Sequence, residues 1–210
     1  MGTSTPELYT PGAGWQALPG AYNADQNTNW YFPRTFLSSN GGIFGWDTNS
    51  GQLFQVFTAG NGSLNVLGNT PFTANANLPA AMYAPDKILT IDPQGNAWIV
   101  NISGATPTFT EMRGVIGENR SWANLLVLAD GTVLLSGGSV VPNDLPSATN
   151  TAMLWNPDTG QWTVDATANV ARLYHSNTLL LPDARVLSVG GGAPARSSTS
   201  IPKSTRPAIS

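Results

Sequence analysis

Two stretches of this chain read alike, and their likeness restricts the fold more than any other feature. Arg120-Ser121-Trp122 leads into Leu125-Leu126-Val127-Leu128, turns at Ala129-Asp130-Gly131 and returns through Thr132-Val133-Leu134-Leu135-Ser136 to Gly137-Gly138. Arg172-Leu173-Tyr174-His175-Ser176 leads into Leu179-Leu180-Leu181, turns at Pro182-Asp183-Ala184 and returns through Val186-Leu187-Ser188-Val189 to Gly190-Gly191-Gly192. The two arginines stand 52 positions apart. A unit of short strands repeated at such a period buries its two faces only against neighbouring units, so the chain must stack its repeats in series.

Composition agrees. Charged residues make up only 10% of the 210, while 22 glycines and 16 prolines accompany a 41% hydrophobic content. That is the balance of many short strands joined by tight turns, and nothing in it suggests helices. Residues 1–194 hold all 12 acidic residues but only six of the nine basic ones. An acidic body without a basic cluster argues against nucleic acid as a partner. The absence of cysteine excludes disulfides, thiolate metal sites and a cysteine nucleophile. No apolar run reaches the length of a membrane span, so no membrane partner is expected. Met1-Gly2-Thr3-Ser4-Thr5 lacks the charged and apolar regions of a signal peptide.

The period, close to 50 residues, is that of Kelch repeats. In this reading the chain is all-β, an incomplete Kelch-type β-propeller of roughly three four-stranded antiparallel blades occupying 1–194. A blade tail lies at 7–20, fuller blades at about 29–68, 79–112 and 120–164, and the start of another at 171–192. Propellers close with about four to eight blades, so this ring is expected to be open. Ser38-Ser39-Asn40-Gly41-Gly42 reads as a turn, in which Asn-Gly is a strong two-residue hairpin signal because both positions tolerate positive φ. Asp183-Ala184 stands where such repeats place Asp-Gly; alanine fits poorly at positive φ, so this turn is expected to be strained or of another type. Trp15, Trp98, Trp122, Trp155 and Trp162 read as packing residues, whereas Trp30 and Trp46 leave a minor sugar-stacking reading open. Arg34, Arg120 and Arg172 read as inter-strand or inter-blade hydrogen-bonding residues, not anion sites. Three sequons, at Asn61, Asn101 and Asn119, are of a length that arises often by chance.

The one histidine of the chain, His175, directly follows Tyr174. Adjacent oxygen and nitrogen donors suit copper better than calcium or magnesium. Taken alone the pair also fits a tyrosine that packs and a histidine that bonds a neighbouring strand. Arg-x-Tyr-His-Ser, followed by Leu-Leu-Leu-Pro-Asp and Val-Leu-Ser-Val-Gly-Gly-Gly, closely resembles a late Kelch-type repeat of the galactose oxidase and glyoxal oxidase family of copper radical oxidases. The resemblance covers roughly residues 7–194. It implies that Tyr174 is a metal ligand and the catalytic proton acceptor, and that His175 is a second metal ligand. It also implies a parent enzyme, extracellular or in the cell envelope, that oxidises a small primary alcohol, aldehyde or carbohydrate and reduces O2 to peroxide. The cofactors of that family are copper and a Tyr-Cys radical pair, and the second is absent from this cysteine-free chain. The remaining blades and an immunoglobulin-like domain that carries another histidine are expected to be missing partners, so this chain is expected to be inactive alone. The alternative is a Kelch-type module that binds carbohydrate or protein without catalysis. Residues 195–210 are expected to be disordered, and a one-nucleotide shift of reading frame near Pro194 would account for their basic, Ser/Thr/Pro-rich composition.

Overall fold

The computed structural model describes residues 4–24 and 32–191, so the expectations for Trp30 and for residues 195–210 lie outside the described residues. Strands β1 (Glu7–Thr10) and β2 (Gly14–Ala17) form a hairpin. Three four-stranded antiparallel sheets follow: β3 (Arg34–Leu37), β4 (Ile43–Trp46), β5 (Gln52–Phe57) and β6 (Ser63–Asn69); β7 (Ala80–Ala84), β8 (Lys87–Ile91), β9 (Ala97–Asn101) and β10 (Thr108–Met112); β11 (Asn124–Val127), β12 (Val133–Ser136), β13 (Thr151–Trp155) and β14 (Trp162–Thr167). A second hairpin, β15 (Ser176–Leu180) and β16 (Val186–Gly190), completes the described strands. Within every sheet the strands pair in chain order. First strands pack on first strands, β7 on β11 and β11 on β15, so successive sheets radiate from a shared inner edge as propeller blades do.

Each sheet buries one face against the next. Leu18 and Ala21 pack with Phe54 and Val56; Phe44, Trp46 and Leu53 pack with Ile88, Trp98 and Val100; and Leu89, Ile91 and Ala97 pack with Val133, Leu135 and Trp155. Trp46, buried among Phe36, Phe44 and Phe72, is therefore a core residue rather than a sugar-stacking one. Trp15 departs from the packing role expected of it: it is 70% exposed. Its ring lies 5.2 Å from that of Tyr9, its partner across the β1–β2 hairpin, and no described sheet covers it.

The turns show which local chemistry sets each register. Ser38 N–H donates to Gly42 O and Gly41 N–H to Ser38 O, closing a three-residue loop in which Gly41 (φ 82) is left-handed and Asn40 is not. The two-residue turn read from Asn40-Gly41 is thus replaced by a type I turn followed by a left-handed residue. Asn40 serves through its side chain, whose Oδ1 accepts from Gly42 N–H at 2.9 Å. Where Asp92-Pro93 interrupts the glycine pattern, the Asp92 carboxylate holds the β8–β9 turn instead. It accepts from the Gln94 and Asn96 backbone N–H groups, from Asn96 Nδ2 and, at 2.8 Å, from Trp98 Nε1.

The β15–β16 turn repeats the β11–β12 turn bond for bond, with Leu181 and Ala184 standing where Leu128 and Gly131 stand. Ala184 consequently sits at φ 65, the counterpart of Gly131 at φ 84. Left-handed backbone costs an L-residue with a Cβ roughly 1–2 kcal/mol. Ala184→Gly is expected to raise unfolding stability by about 1 kcal/mol, read as a higher urea midpoint at an unchanged slope. An equal or lower midpoint would show that the turn carries no strain.

Asp86, another left-handed residue (φ 58), joins the first two full sheets. Its carboxylate accepts from Ser39 N–H at 2.8 Å, from Ser38 Oγ at 3.0 Å and from Ser39 Oγ. The Ser39 bonds, foremost the hydroxyl one, lower its pKa below the ordinary 3.8. A carboxylate with a depressed folded pKa contributes stability that is fully present above its unfolded pKa and is lost as pH falls through the folded value. The melting temperature is therefore expected to drop as pH falls below about 3.8, and Asp86→Asn, which tolerates the same backbone, is expected to flatten that part of the profile. An unchanged acid limb in Asp86→Asn would contradict this.

Candidate functional site

The residues ahead of the inner strands meet in one recess of about 370 Å³. Its wall includes Phe32 and Arg34 before and in β3, Trp122 and Asn124 before and at the start of β11, and Tyr174 and His175 before β15. The recess is a product of the repeat, because the sheets that begin with β3, β7, β11 and β15 each line it with residues at the entry to their first strand.

The double glycine explains how Tyr174 and His175 are placed. Gly137 and Gly138 close β12 at φ 68 and 89. A Cβ on Gly137 would stand 2.6 Å from Arg172 O, and Gly138 N–H donates to that same carbonyl at 2.7 Å. Two residues without side chains therefore let the chain entering the next hairpin lie directly on the end of β12. Leu173, 2% exposed, anchors it from below. Ser176 N–H donates to Leu173 O, closing a tight turn with His175 at φ 63. A Cβ on Gly190 would meet His175 O at 2.7 Å, and Gly191 N–H donates to that oxygen at 3.2 Å. Asn124 Nδ2 donates to Ser176 Oγ at 3.1 Å, and Ser136 Oγ meets Thr178 Oγ1 at 3.1 Å, fixing β15 on the preceding sheet.

This turn brings the two candidate side chains face to face. The rings of Tyr174 and His175 lie 3.7 Å apart at 31°, Tyr174 half-buried and His175 exposed. The Tyr174 ring is also 4.3 Å from that of Trp122. Tyr174 and His175 thus both line one recess, and a phenol and an imidazole there can supply two donors to a metal or a proton acceptor to a bound hydroxyl. Among the described residues no group of three or more His, Cys, Asp or Glu could hold a metal ion.

Trp122, expected from the sequence to pack between blades, is instead part of this wall. Arginine alignment concealed it. By backbone hydrogen bonds the last two repeats correspond at 53 positions, one more than the arginine spacing, so that Ala123 N–H to Arg120 O matches Ser176 N–H to Leu173 O. Trp122 (φ 65) is therefore the counterpart of His175, and the turn glycine, not the arginine, marks it. The extra residue is absorbed without loss of the arginine bonds: Arg120 Nε donates to Gly137 O at 2.9 Å and Arg172 Nη1 to the equivalent Gly190 O at 2.7 Å. Arg34 Nη2 donates between sheets, to Ala76 O at 2.9 Å and to Leu78 O.

No protein-family model matches the chain. Two curated galactose oxidases of Gibberella zeae are each 27% identical over 221 residues, covering 89% of this chain and 32% of theirs. A solved structure of a fungal alcohol oxidase of the AA5 family in complex with copper superposes with a TM-score of 0.78 at 25% identity, covering 93% of this chain and 45% of that one. The chain is galactose oxidase-like. A further solved structure, that of YjhT, shares the fold at a TM-score of 0.63 and 13% identity, covering 90% of this chain and 69% of that one. The galactose oxidase-like chain spans about a third of the length of the curated relatives it matches.

Proposed function

We propose that this galactose oxidase-like chain carries the Tyr-His half of a copper site and corresponds to a middle-to-late part of a Kelch-type catalytic propeller. The observation that carries the proposal is the stacking of Tyr174 on His175 in the wall of one shared recess. Tyr174 is the proposed metal ligand and acceptor of the substrate hydroxyl proton, and His175 the proposed second ligand. Copper held by protein takes three or more donors in a planar or tetragonal arrangement, and the pair supplies two. The donor set suits the metal in kind but falls short in number, so no catalytic step is assigned to these residues alone. In the whole oxidase, proposed to be extracellular or in the cell envelope, copper and a tyrosyl radical would supply the one-electron chemistry by which a small primary alcohol, aldehyde or sugar is oxidised and O2 reduced to hydrogen peroxide. Of that reaction this chain would contribute the recess and the two donors.

A coupled peroxide assay of the purified chain, with added Cu(II) and a panel of primary alcohols and aldehydes, tests the incomplete-site reading. No peroxide above a metal-only blank is expected. Turnover that disappears in Tyr174→Phe would overturn it, because two donors would then suffice.

A further inference from the structure

Three non-glycine residues occupy left-handed backbone at the same place in three sheets. Phe32 (φ 61), Trp122 (φ 65) and His175 (φ 63) each stand nine positions ahead of a left-handed turn residue, Gly41, Gly131 and Ala184 respectively. Bulky side chains rarely accept this backbone, and where they do the surroundings over-determine it. What the three share is their outlook: every one of these rings lines the same recess. At Trp122 the backbone is held on both sides, its N–H donating to Asn77 O at 2.6 Å and Ala123 N–H to Arg120 O at 3.1 Å. The indole can therefore serve as a fixed surface. Tyr174 needs one, because among the described residues its hydroxyl makes no hydrogen bond, and its ring contacts are Trp122 on the preceding sheet at 4.3 Å and His175 at 3.7 Å.

We infer that Trp122 is a positioning residue, whose ring holds Tyr174 against His175 so that phenol and imidazole face the recess together. The left-handed backbone at Trp122 is what swings the indole out of the blade interface, where the buried Trp46, Trp98 and Trp155 lie, and towards the next repeat. The importance of the contact for metal binding rests on the proposed function above, but the contact itself is tested without metal.

His175 is the only histidine, so its two carbon-bound ring protons give unambiguous NMR signals. At a fixed pH where the imidazole is neutral, they are expected upfield of free histidine because of the Tyr174 ring current, and Tyr174→Ala is expected to abolish the displacement. Trp122→Gly removes the indole while suiting the left-handed backbone, and it is expected to lose most of the same displacement. Trp122→Phe, which keeps a ring, is expected to retain it, and Trp122→Gly in a Tyr174→Ala background is expected to add nothing. His175 signals that stay at their native positions in Trp122→Gly would overturn the inference. So would a native chain with no upfield displacement. Cu(II) calorimetry on the same proteins separates the two readings: a several-fold weaker affinity in Trp122→Gly supports both, whereas a native chain that binds no copper defeats the copper reading and leaves the NMR result to decide the role of Trp122.

Discussion

Trp155→Ala is expected to be the most damaging single core substitution, lowering unfolding stability by about 4 kcal/mol. The indole is fully buried where the second and third full sheets meet, packed among Leu89, Ile91, Val133 and Leu135. Tyr83 meets it edge to face at 4.8 Å across that junction, and Trp162 lies 6.4 Å away on the paired strand. Removing it deletes transfer energy and leaves a cavity between two sheets that are each held rigid by their own ladders, so collapse recovers little. Trp155→Phe, which keeps an edge for Tyr83, is expected to cost about half as much. Urea unfolding followed by far-ultraviolet circular dichroism gives both values. A loss below about 1 kcal/mol for Trp155→Ala would mean that the two sheets do not meet at this indole.

Arg120→Ala is expected to cost about 3 kcal/mol, nearly as much, for a different reason. Arg120 is 1% exposed, and burial pushes its pKa down to about 10 against the opposing pull of Glu118. Nε donates to Gly137 O at 2.9 Å and Nη2 to Thr151 O at 3.2 Å, tying the end of β12 to the start of β13. Truncation leaves a buried carbonyl, Gly137 O, and a partly buried one, Thr151 O, without these donors, and an orphaned buried acceptor costs more than the bond contributes. Arg120→Lys is expected to recover less than half, since an ammonium on a flexible stem cannot reproduce the two-pronged geometry. Because Gly137 also seats the chain that enters β15, Arg120→Ala is expected to disturb His175 in the NMR experiment even in the fraction that remains folded. Full rescue by lysine would show that charge alone matters there.

Much of the fold was legible because each repeat combines a strand period with a turn that tolerates only certain residues. Asp130-Gly131 announces its hairpin, and so does Asp183-Ala184 with the wrong residue, since the surrounding bonds force alanine into glycine's backbone. Asn40-Gly41 misled in detail because Asn-Gly serves two turn classes, and the choice between them rests on loop length, which the apolar pattern does not specify. Trp15 and Trp122 share the aromatic character of Trp98 and Trp155, yet one lies on the hairpin surface and the other in the recess. A tryptophan's burial depends on whether a sheet covers it and on its own φ, and neither quantity is written in residue type. The Tyr174-His175 pair was legible as chemistry, whereas its stacking and its contact with Trp122 arise from a one-residue register change that only backbone hydrogen bonds reveal.

Calorimetric titration of the purified chain with Cu(II), beside His175→Ala and Tyr174→Phe, tests the half-site most directly. Weak binding at one site is expected, with a dissociation constant well above micromolar, of which His175→Ala removes most and Tyr174→Phe a part. Submicromolar binding by the native chain, or weak binding that both variants leave unchanged, would contradict it.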